Sequence, residues 1–98
     1  MFQKLLTKII GDNQLKKLLS TSGFLVNIDY PTKDVKLHRI DCKYCNPGLS
    51  TGIKPSSKTL NKTGEFWYSE KRDEADSKAE EIARRKGYNY SPCAVCNP

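Results

Sequence analysis

The feature that most constrains this chain is the arrangement of its four cysteines in two Cys-x-x-Cys pairs. The first pair is Cys42 and Cys45, the second is Cys93 and Cys96, and 47 residues lie between the pairs. A two-residue gap allows one tight turn to direct two thiolates toward one point, and two such turns supply the four ligands of a tetrahedral zinc site. We therefore predict a structural Zn²⁺ ion that joins the two halves of the chain.

Disulfide bonds and redox chemistry are the alternative interpretations of the same four residues. Small secreted domains rely on disulfides, but the first residues of this chain contain no apolar stretch as long as that of a signal peptide. A redox Cys-x-x-Cys pair usually belongs to a βαβ unit, whereas both pairs here lie in loop-like sequence. We expect reduced cysteines, a cytoplasmic location and no transmembrane segment.

The distribution of charge favours an anionic partner. The formal net charge of the 98 residues is +6, and residues 31–63 carry seven Lys or Arg against Asp34 and Asp41. A local excess of this kind favours nucleic acid, with DNA preferred over RNA here; the competing interpretation is a soluble, lysine-rich surface. The candidate phosphate contacts are Arg39, Lys43, Lys54, Lys58 and Lys62.

The N-terminal residues 1–22 read as an amphipathic helical arm that precedes a zinc-binding domain at 23–98. Apolar residues recur at helical spacing over residues 2–10, Gly11 interrupts the pattern, and a second short apolar stretch follows. We expect this arm to pack on the domain, with self-association through residues 2–19 as the next alternative and membrane binding as the last.

The remaining chain reads as a short antiparallel sheet and one long helix. Residues 24–30 and 35–40 alternate as a β-hairpin, residues 46–64 are a mobile basic loop, and residues 65–68 are a short aromatic strand. Ser69 is the expected helix N-cap and Gly87 the residue that ends the helix; the predicted inward face comprises Ala75, Ala79, Ile82 and Ala83. The expected fold class is α+β: a small zinc-stabilised domain with a long C-terminal helix and an N-terminal helical arm.

A histidine upstream of the first cysteine pair joins the motifs found in the second half of the chain. The helix is followed by Gly87, a few residues and Pro-Cys-x-x-Cys, and the first pair is preceded by a His-x-x-x-Cys step, at His38 and Cys42. Over roughly residues 35–98 this pattern resembles the Ada-like zinc-binding domains, the family of the metal-binding domain in the Ada alkylation-repair protein. The resemblance implies a zinc site in which Cys42, Cys93 and Cys96 are joined by His38.

Five candidate ligands thus compete for four zinc positions. Cysteine spacing favours Cys45 as the fourth ligand, because two matching knuckles need no strain and thiolate binds zinc well. The resemblance favours His38. We predict the four cysteines as the ligand set, with His38 as the alternative fourth ligand and otherwise a neighbour of the site.

Three functions from different classes follow. The first is a structural-zinc module that binds nucleic acid through its basic surface, and the alternative is an interaction or assembly module that uses the N-terminal arm. A zinc-thiolate alkyl acceptor, implied by the resemblance, is less favoured because the position of the family's acceptor cysteine is His38 here. We do not expect an enzyme, since the chain has one histidine and its acidic residues cluster on a helix face.

Overall fold

One mixed β-sheet organises the part of the chain that the structure, a computed structural model, describes: residues 6–45, 55, 62–94 and 96. The strand order is β1-β4-β2-β3-β5, and every neighbouring pair is antiparallel except β3 and β5, which are parallel. The strands are β1 (Thr7–Ile9), β2 (Phe24–Asp29), β3 (Asp34–Arg39), β4 (Gly64–Ser69) and β5 (Asn89–Pro92), and the helices are α1 (Asp12–Leu18) and α2 (Arg72–Lys86). The expectation of a small α+β fold is confirmed.

The β2–β3 hairpin forms where the alternating pattern predicted it. Its register pairs Phe24 with Arg39 and Asp29 with Asp34. Successive side chains of a strand point to opposite faces of the sheet, so the apolar residues of the hairpin divide between two cores. Val26 and Ile28 of β2 pack on the α2 side, whereas Leu25 packs on the opposite side.

Helix α2 covers one face of the sheet. The predicted inward face is confirmed, because Ala75, Ala79, Ile82 and Ala83 are its buried residues. Small side chains at three of these positions allow the helix axis to lie close to the strands. Gly87 ends the helix in the left-handed conformation, with φ 72, and the Tyr88 N–H then bonds the Ala83 carbonyl at 2.9 Å.

Two expectations about α2 are wrong. Ser69 is not its N-cap: the residue before the first turn is Lys71, and the Ser69 hydroxyl accepts from the Lys71 N–H and donates to Glu74. Ser69 is the last residue of β4 and pairs with Phe24, so sheet pairing delays the helix start by two residues. The helix is also not C-terminal, because β5 follows it. α2 runs back along the sheet, so β5 starts at the same end as β3 and pairs with it in parallel.

The N-terminal segment contains a strand where helix was predicted. Thr7–Ile9 pairs with Phe66–Tyr68 of β4, so the helical interpretation of residues 2–10 is wrong for residues 7–9. Pairing buries Ile9 in the core, and this tertiary gain outweighs a local helical pattern. Residues 1–5 lie outside the described residues. No helix among the described residues is both long enough and apolar enough to span a membrane.

Helix α1 covers the other face of the sheet, opposite α2. Its Leu15 is fully buried, and Leu18 and Leu19 pack against the same core as three of the cysteines, Cys42, Cys45 and Cys93. The apolar residues of this helix therefore have partners within the chain. Ile10 is the exposed large apolar side chain among the described residues. Self-association through residues 2–19 stays a prediction.

Candidate metal centre

Four potential metal ligands meet at the end of the sheet where β3 and β5 finish. The donor atoms of His38, Cys42, Cys93 and Cys96 all lie within 4.8 Å of one another. None of the four cysteines is joined to another in a disulfide bond. Of the residues predicted as ligands from the sequence, the structure thus brings together three cysteines and the alternative histidine.

Backbone hydrogen bonds fix the positions of these ligands. His38 lies on β3, one residue before the strand ends, and Cys42 follows in a turn closed by its N–H to the Arg39 carbonyl at 3.0 Å. Cys93 comes directly after β5, and its N–H extends the parallel pairing to the Leu37 carbonyl at 2.9 Å. The parallel β3–β5 pair therefore delivers the two halves of the site from one edge of the sheet.

The spacing of the donor atoms suits a tetrahedral ion. Zinc–sulfur bonds of about 2.3 Å at tetrahedral angles place two sulfurs about 3.8 Å apart. The observed limit of 4.8 Å exceeds this separation by about an ångström, so small side-chain rotations would close the ligands around an ion. His38, Cys42 and Cys93 are buried and Cys96 is half-buried, which limits access of water to the site.

His38 has the properties of a neutral ligand. Its Nδ1 atom is buried and has no hydrogen-bond partner in the described part of the chain. A buried polar atom without a partner costs about 1–3 kcal/mol, and coordination of a metal ion by this nitrogen would remove that cost. Burial, with a smaller contribution from Lys36, lowers the pKa of His38 to about 4. The imidazole is therefore uncharged at neutral pH, as metal binding requires.

Cys45 lies beside this group but outside it. Its thiol is fully buried and donates to the Arg39 carbonyl at 3.4 Å, while the Arg39 N–H donates to the Cys96 sulfur at 3.3 Å. The backbone N–H and carbonyl of Arg39 thus contact both Cys96, a candidate ligand, and Cys45, which lies outside the group of donors. Such outer contacts orient ligands and tune their charge.

Burial also sets the protonation of the sulfurs. It is the largest cause that raises the pKa of Cys96 to about 12, with the neighbouring cysteines adding to the effect and the Arg39 N–H opposing it. Burial likewise raises the pKa of Cys45, followed by the influence of Cys42, Cys96 and Cys93. The Cys45 and Cys96 thiols are therefore protonated at neutral pH when no cation is present, so binding of a metal by Cys96 would release a proton.

The three predicted phosphate contacts that the structure describes do not form one surface near this site. Arg39 is exposed, but its guanidinium pairs with the Asp41 carboxylate at 3.0 Å, and both line a shallow cleft that also contains Glu70. The Lys43 ammonium lies 5.4 Å from the Tyr44 ring centroid. Lys62 is exposed at the opposite end of the sheet, just before β4. Lys54 and Lys58 lie outside the described residues, as does most of the predicted loop 46–64.

The aromatic side chains of β4 and the neighbouring Tyr30 make contacts that support the fold. The Trp67 N–H and the Tyr30 hydroxyl both donate to the Glu65 carboxylate, at 2.7 Å and 2.6 Å, and the Lys78 ammonium lies over the Trp67 ring. Tyr68 is buried on the opposite face, where its hydroxyl donates to the Ser22 carbonyl.

A sequence signal for His38 exists in two forms. The His-x-x-x-Cys spacing that carries the family resemblance is one. The other is strand alternation: in a strand whose Val35 and Leu37 face one core, His38 must face the other. Cysteine spacing alone does not identify His38 as a ligand, because it carries no information about the face of β3 on which His38 lies.

Comparisons with known proteins gave no match: no protein-family model, no curated protein and no solved structure is significantly similar to the chain.

Proposed function

We propose that this chain is a small zinc-binding domain in which His38, Cys42, Cys93 and Cys96 hold one Zn²⁺ ion. The observation that carries the proposal is the meeting of these four donors, within 4.8 Å of one another, at a mostly buried position. Kinship with Ada-like domains is part of the proposal, because the same four positions fit the His-x-x-x-Cys and Cys-x-x-Cys pattern of that family.

The chemistry of the donor set favours zinc and a structural role. One imidazole and three thiolates form a borderline-soft tetrahedral set, which is typical of structural zinc sites. Four protein ligands leave no open coordination position for substrate or water. When bound, the ion cross-links the turn after β3 to the turn after β5. The residues around it keep the imidazole neutral, exclude water and supply an N–H···S contact from Arg39.

Two matched variants test the ligand set. We expect the Cys45→Ser protein to retain one zinc ion per chain, because Cys45 is a neighbour and not a ligand. Loss of a residue that only supports a ligand weakens metal binding by about 10–100-fold. We expect His38→Asn to weaken zinc binding by more than this, because His38 is itself a ligand. Zinc content after dialysis and competition with a chromophoric chelator would measure both. The cobalt-substituted protein would report three thiolate ligands by the strength of its sulfur-to-metal charge-transfer band.

The opposite pattern would assign the fourth position to Cys45. Retention of zinc by His38→Asn together with its loss from Cys45→Ser would mean a four-cysteine site. A wild-type chain that binds neither zinc nor cobalt with its thiols reduced would overturn the proposal as a whole.

Nucleic-acid binding is a second candidate role for this domain. It is supported by exposed Lys and Arg side chains that make no ion pair among the described residues, in a chain of net charge +6. We propose that these cations contact phosphates. Salt-dependent affinity for an oligonucleotide is the test, and failure to bind at low salt would exclude this role while leaving the zinc proposal intact.

A further inference from the structure

Five cations gather at the end of the sheet opposite the candidate metal centre. We call this surface the basic end and define it by residues that are all exposed: Lys33, Lys62, Arg84, Arg85 and Lys86. They come from three separate segments of the chain: the hairpin turn, the residue before the Thr63–Gly64 entry to β4, and the last turn of α2. Only Lys62 belongs to the phosphate contacts predicted from the sequence.

Hydrogen bonds between backbone groups hold these segments together. The Tyr30 N–H bonds the Thr63 carbonyl at 2.9 Å, which places Lys62 beside the hairpin turn. The Asn89 N–H bonds the Lys33 carbonyl at 3.0 Å, which joins the same turn to the start of β5, three residues after the end of α2. The cations are therefore carried by fixed backbone and not by independent loops.

Positive charge exceeds negative charge at the basic end. Lys33, Lys62, Arg84 and Arg85 form no ion pair with any residue that the structure describes. Three acidic residues lie at this end, against five cations, and the carboxylate of one of them, Glu65, is close enough to Lys86 to interact with its charge. The Asp29 carboxylate accepts from the Thr32 N–H and hydroxyl, and that of Glu65 accepts from Tyr30 and Trp67; the third is Asp34. On α2, Glu81 pairs with Lys78, and Glu80 is exposed one turn before Arg84.

Two tyrosines lie among these cations. The rings of Tyr30 and Tyr88 are 6.4 Å apart between centroids, and the Lys86 ammonium lies 5.0 Å from the Tyr30 centroid. Tyr88 is half-buried and packs partly against the core under α2, and its hydroxyl makes no hydrogen bond among the described residues. Cations interleaved with aromatic rings are the combination that binds single-stranded nucleic acid, through phosphates and base stacking.

We propose that the basic end is a binding surface for the phosphate backbone of nucleic acid, with Tyr88 available to stack a base. This inference rests on the second candidate role above and gives it a location. It also moves that location from the metal end, where Arg39 is already paired with Asp41. A membrane surface fits less well, because the exposed large apolar residue among the described ones is Ile10, which directly follows β1, the strand at the opposite edge of the sheet from β5.

Three double variants, each removing two positive charges, test the location. Arg84→Gln/Arg85→Gln alters the basic end in the last turn of α2, and Lys16→Gln/Lys17→Gln is a matched control in the last turn of α1. Arg39→Gln/Lys43→Gln alters the metal end. Binding of the full-length, zinc-loaded proteins to fluorescent single-stranded DNA, single-stranded RNA and duplex DNA is measured by anisotropy between about 50 and about 200 mM salt.

We expect the basic-end variant to bind about tenfold more weakly at low salt, and each control to change affinity by less than about threefold. Loss of two phosphate contacts should also reduce the slope of log K against log salt by about 1.4 to 1.8. Adding Lys33→Gln should weaken binding again, and Tyr88→Leu should weaken single-stranded more than duplex binding. Zinc content and circular dichroism would show that the variants are folded.

Other results would overturn the inference in distinguishable ways. Equal weakening by all three double variants would mean attraction by net charge alone, and selective weakening by Arg39→Gln/Lys43→Gln would place the surface at the metal end. Absence of wild-type binding would remove the nucleic-acid role together with its location. Tighter binding to vesicles of phosphatidylserine and phosphatidylcholine, lost in the basic-end variant, would identify the partner as a lipid surface.

Discussion

The two faces of the sheet are closed by different means. On one face, the 15-residue helix α2 buries a core whose buried members among the described residues are all Val, Ile, Leu or Ala. On the other face, the 7-residue helix α1 covers a core in which three of the nine buried residues are cysteines. Hydrophobic packing alone suffices for the first face, whereas the second contains polarisable and titratable groups that need a partner. With a zinc ion bound as proposed, this difference predicts that the second face depends on the metal more than the first.

Metal removal should have the largest effect and should act mainly on the cysteine-containing face. Structural zinc sites contribute about 10–16 kcal/mol of apparent binding free energy, so we expect chelation to lower the free energy of unfolding by at least about 5 kcal/mol. Denaturant unfolding with and without a chelator measures the total. Hydrogen exchange should show loss of protection first in α1 and in the 3₁₀ turn Lys43–Cys45. Equal loss in α2 would contradict the comparison.

A cavity under α2 should destabilise the domain without affecting the metal. Ile82 is fully buried in the α2-side core, and Ile→Ala substitutions in cores cost about 2–5 kcal/mol. We expect Ile82→Ala to lower stability by that amount and to retain its zinc. Glu81→Ala, at the exposed neighbouring position, is the control and should change stability little. Loss of zinc from Ile82→Ala would show that the two faces are not independent.

A methyl group at Gly23 should disturb the cysteine-containing face. A Cβ atom at this position would lie 2.6 Å from the Tyr68 hydroxyl oxygen, and Tyr68 is buried and bonded to the Ser22 carbonyl. We expect Gly23→Ala to cost about 1–3 kcal/mol through overpacking, and its φ of +155, which residues with a Cβ rarely adopt, adds to this cost. Two other glycines calibrate the result by thermal unfolding. Gly87→Ala should cost about 1 kcal/mol because of its positive φ, and Gly11→Ala, with nothing within 4 Å, should be almost neutral.

The smallest effect should come from the polar network beside α2. Burial and then the hydrogen bond to Glu65 raise the pKa of Tyr30 to about 12. Because this pKa is above the value of 10.0 for an unperturbed tyrosine, its contribution to stability is complete below pH 10 and is lost as the pH rises toward about 12. Tyr30→Phe should lower stability by about 1 kcal/mol at neutral pH.

The stability difference between wild type and Tyr30→Phe should therefore narrow above pH 10. Tyr88→Phe is the matched control, because its ring contacts Tyr30 but its hydroxyl makes no hydrogen bond among the described residues. Urea unfolding of the three proteins across this range is the measurement. A difference independent of pH would contradict the role of the Glu65 hydrogen bond. The contribution of Glu65 to stability has the opposite pH dependence. Burial raises the pKa of its carboxyl group, but the hydrogen bonds from Tyr30 and Trp67 lower it overall, so this contribution is lost as the pH falls.

The sequence pattern correctly predicted those elements whose apolar residues recur at the regular spacing of a strand or a helix. The β2–β3 hairpin followed from strict alternation, and the buried face of α2 followed from helical spacing and from Gly87 at its end. The failures were at places where pairing partners distant in sequence decide the outcome. Thr7–Ile9 is a strand because β4 offers an edge, and Ser69 belongs to β4 because it pairs with Phe24.

The sequence by itself determined that the cysteines would be brought together and that a hairpin and a helix would enclose an apolar core. Only the tertiary structure determined which four donor atoms meet. Their meeting depends on the face of β3 that carries His38 and on the parallel pairing of β5 with β3. The same is true of the basic end, whose cations are distant in sequence and meet only after the strands pair. Spacing along a chain specifies turns, but the meeting of distant side chains depends on how the sheet is ordered.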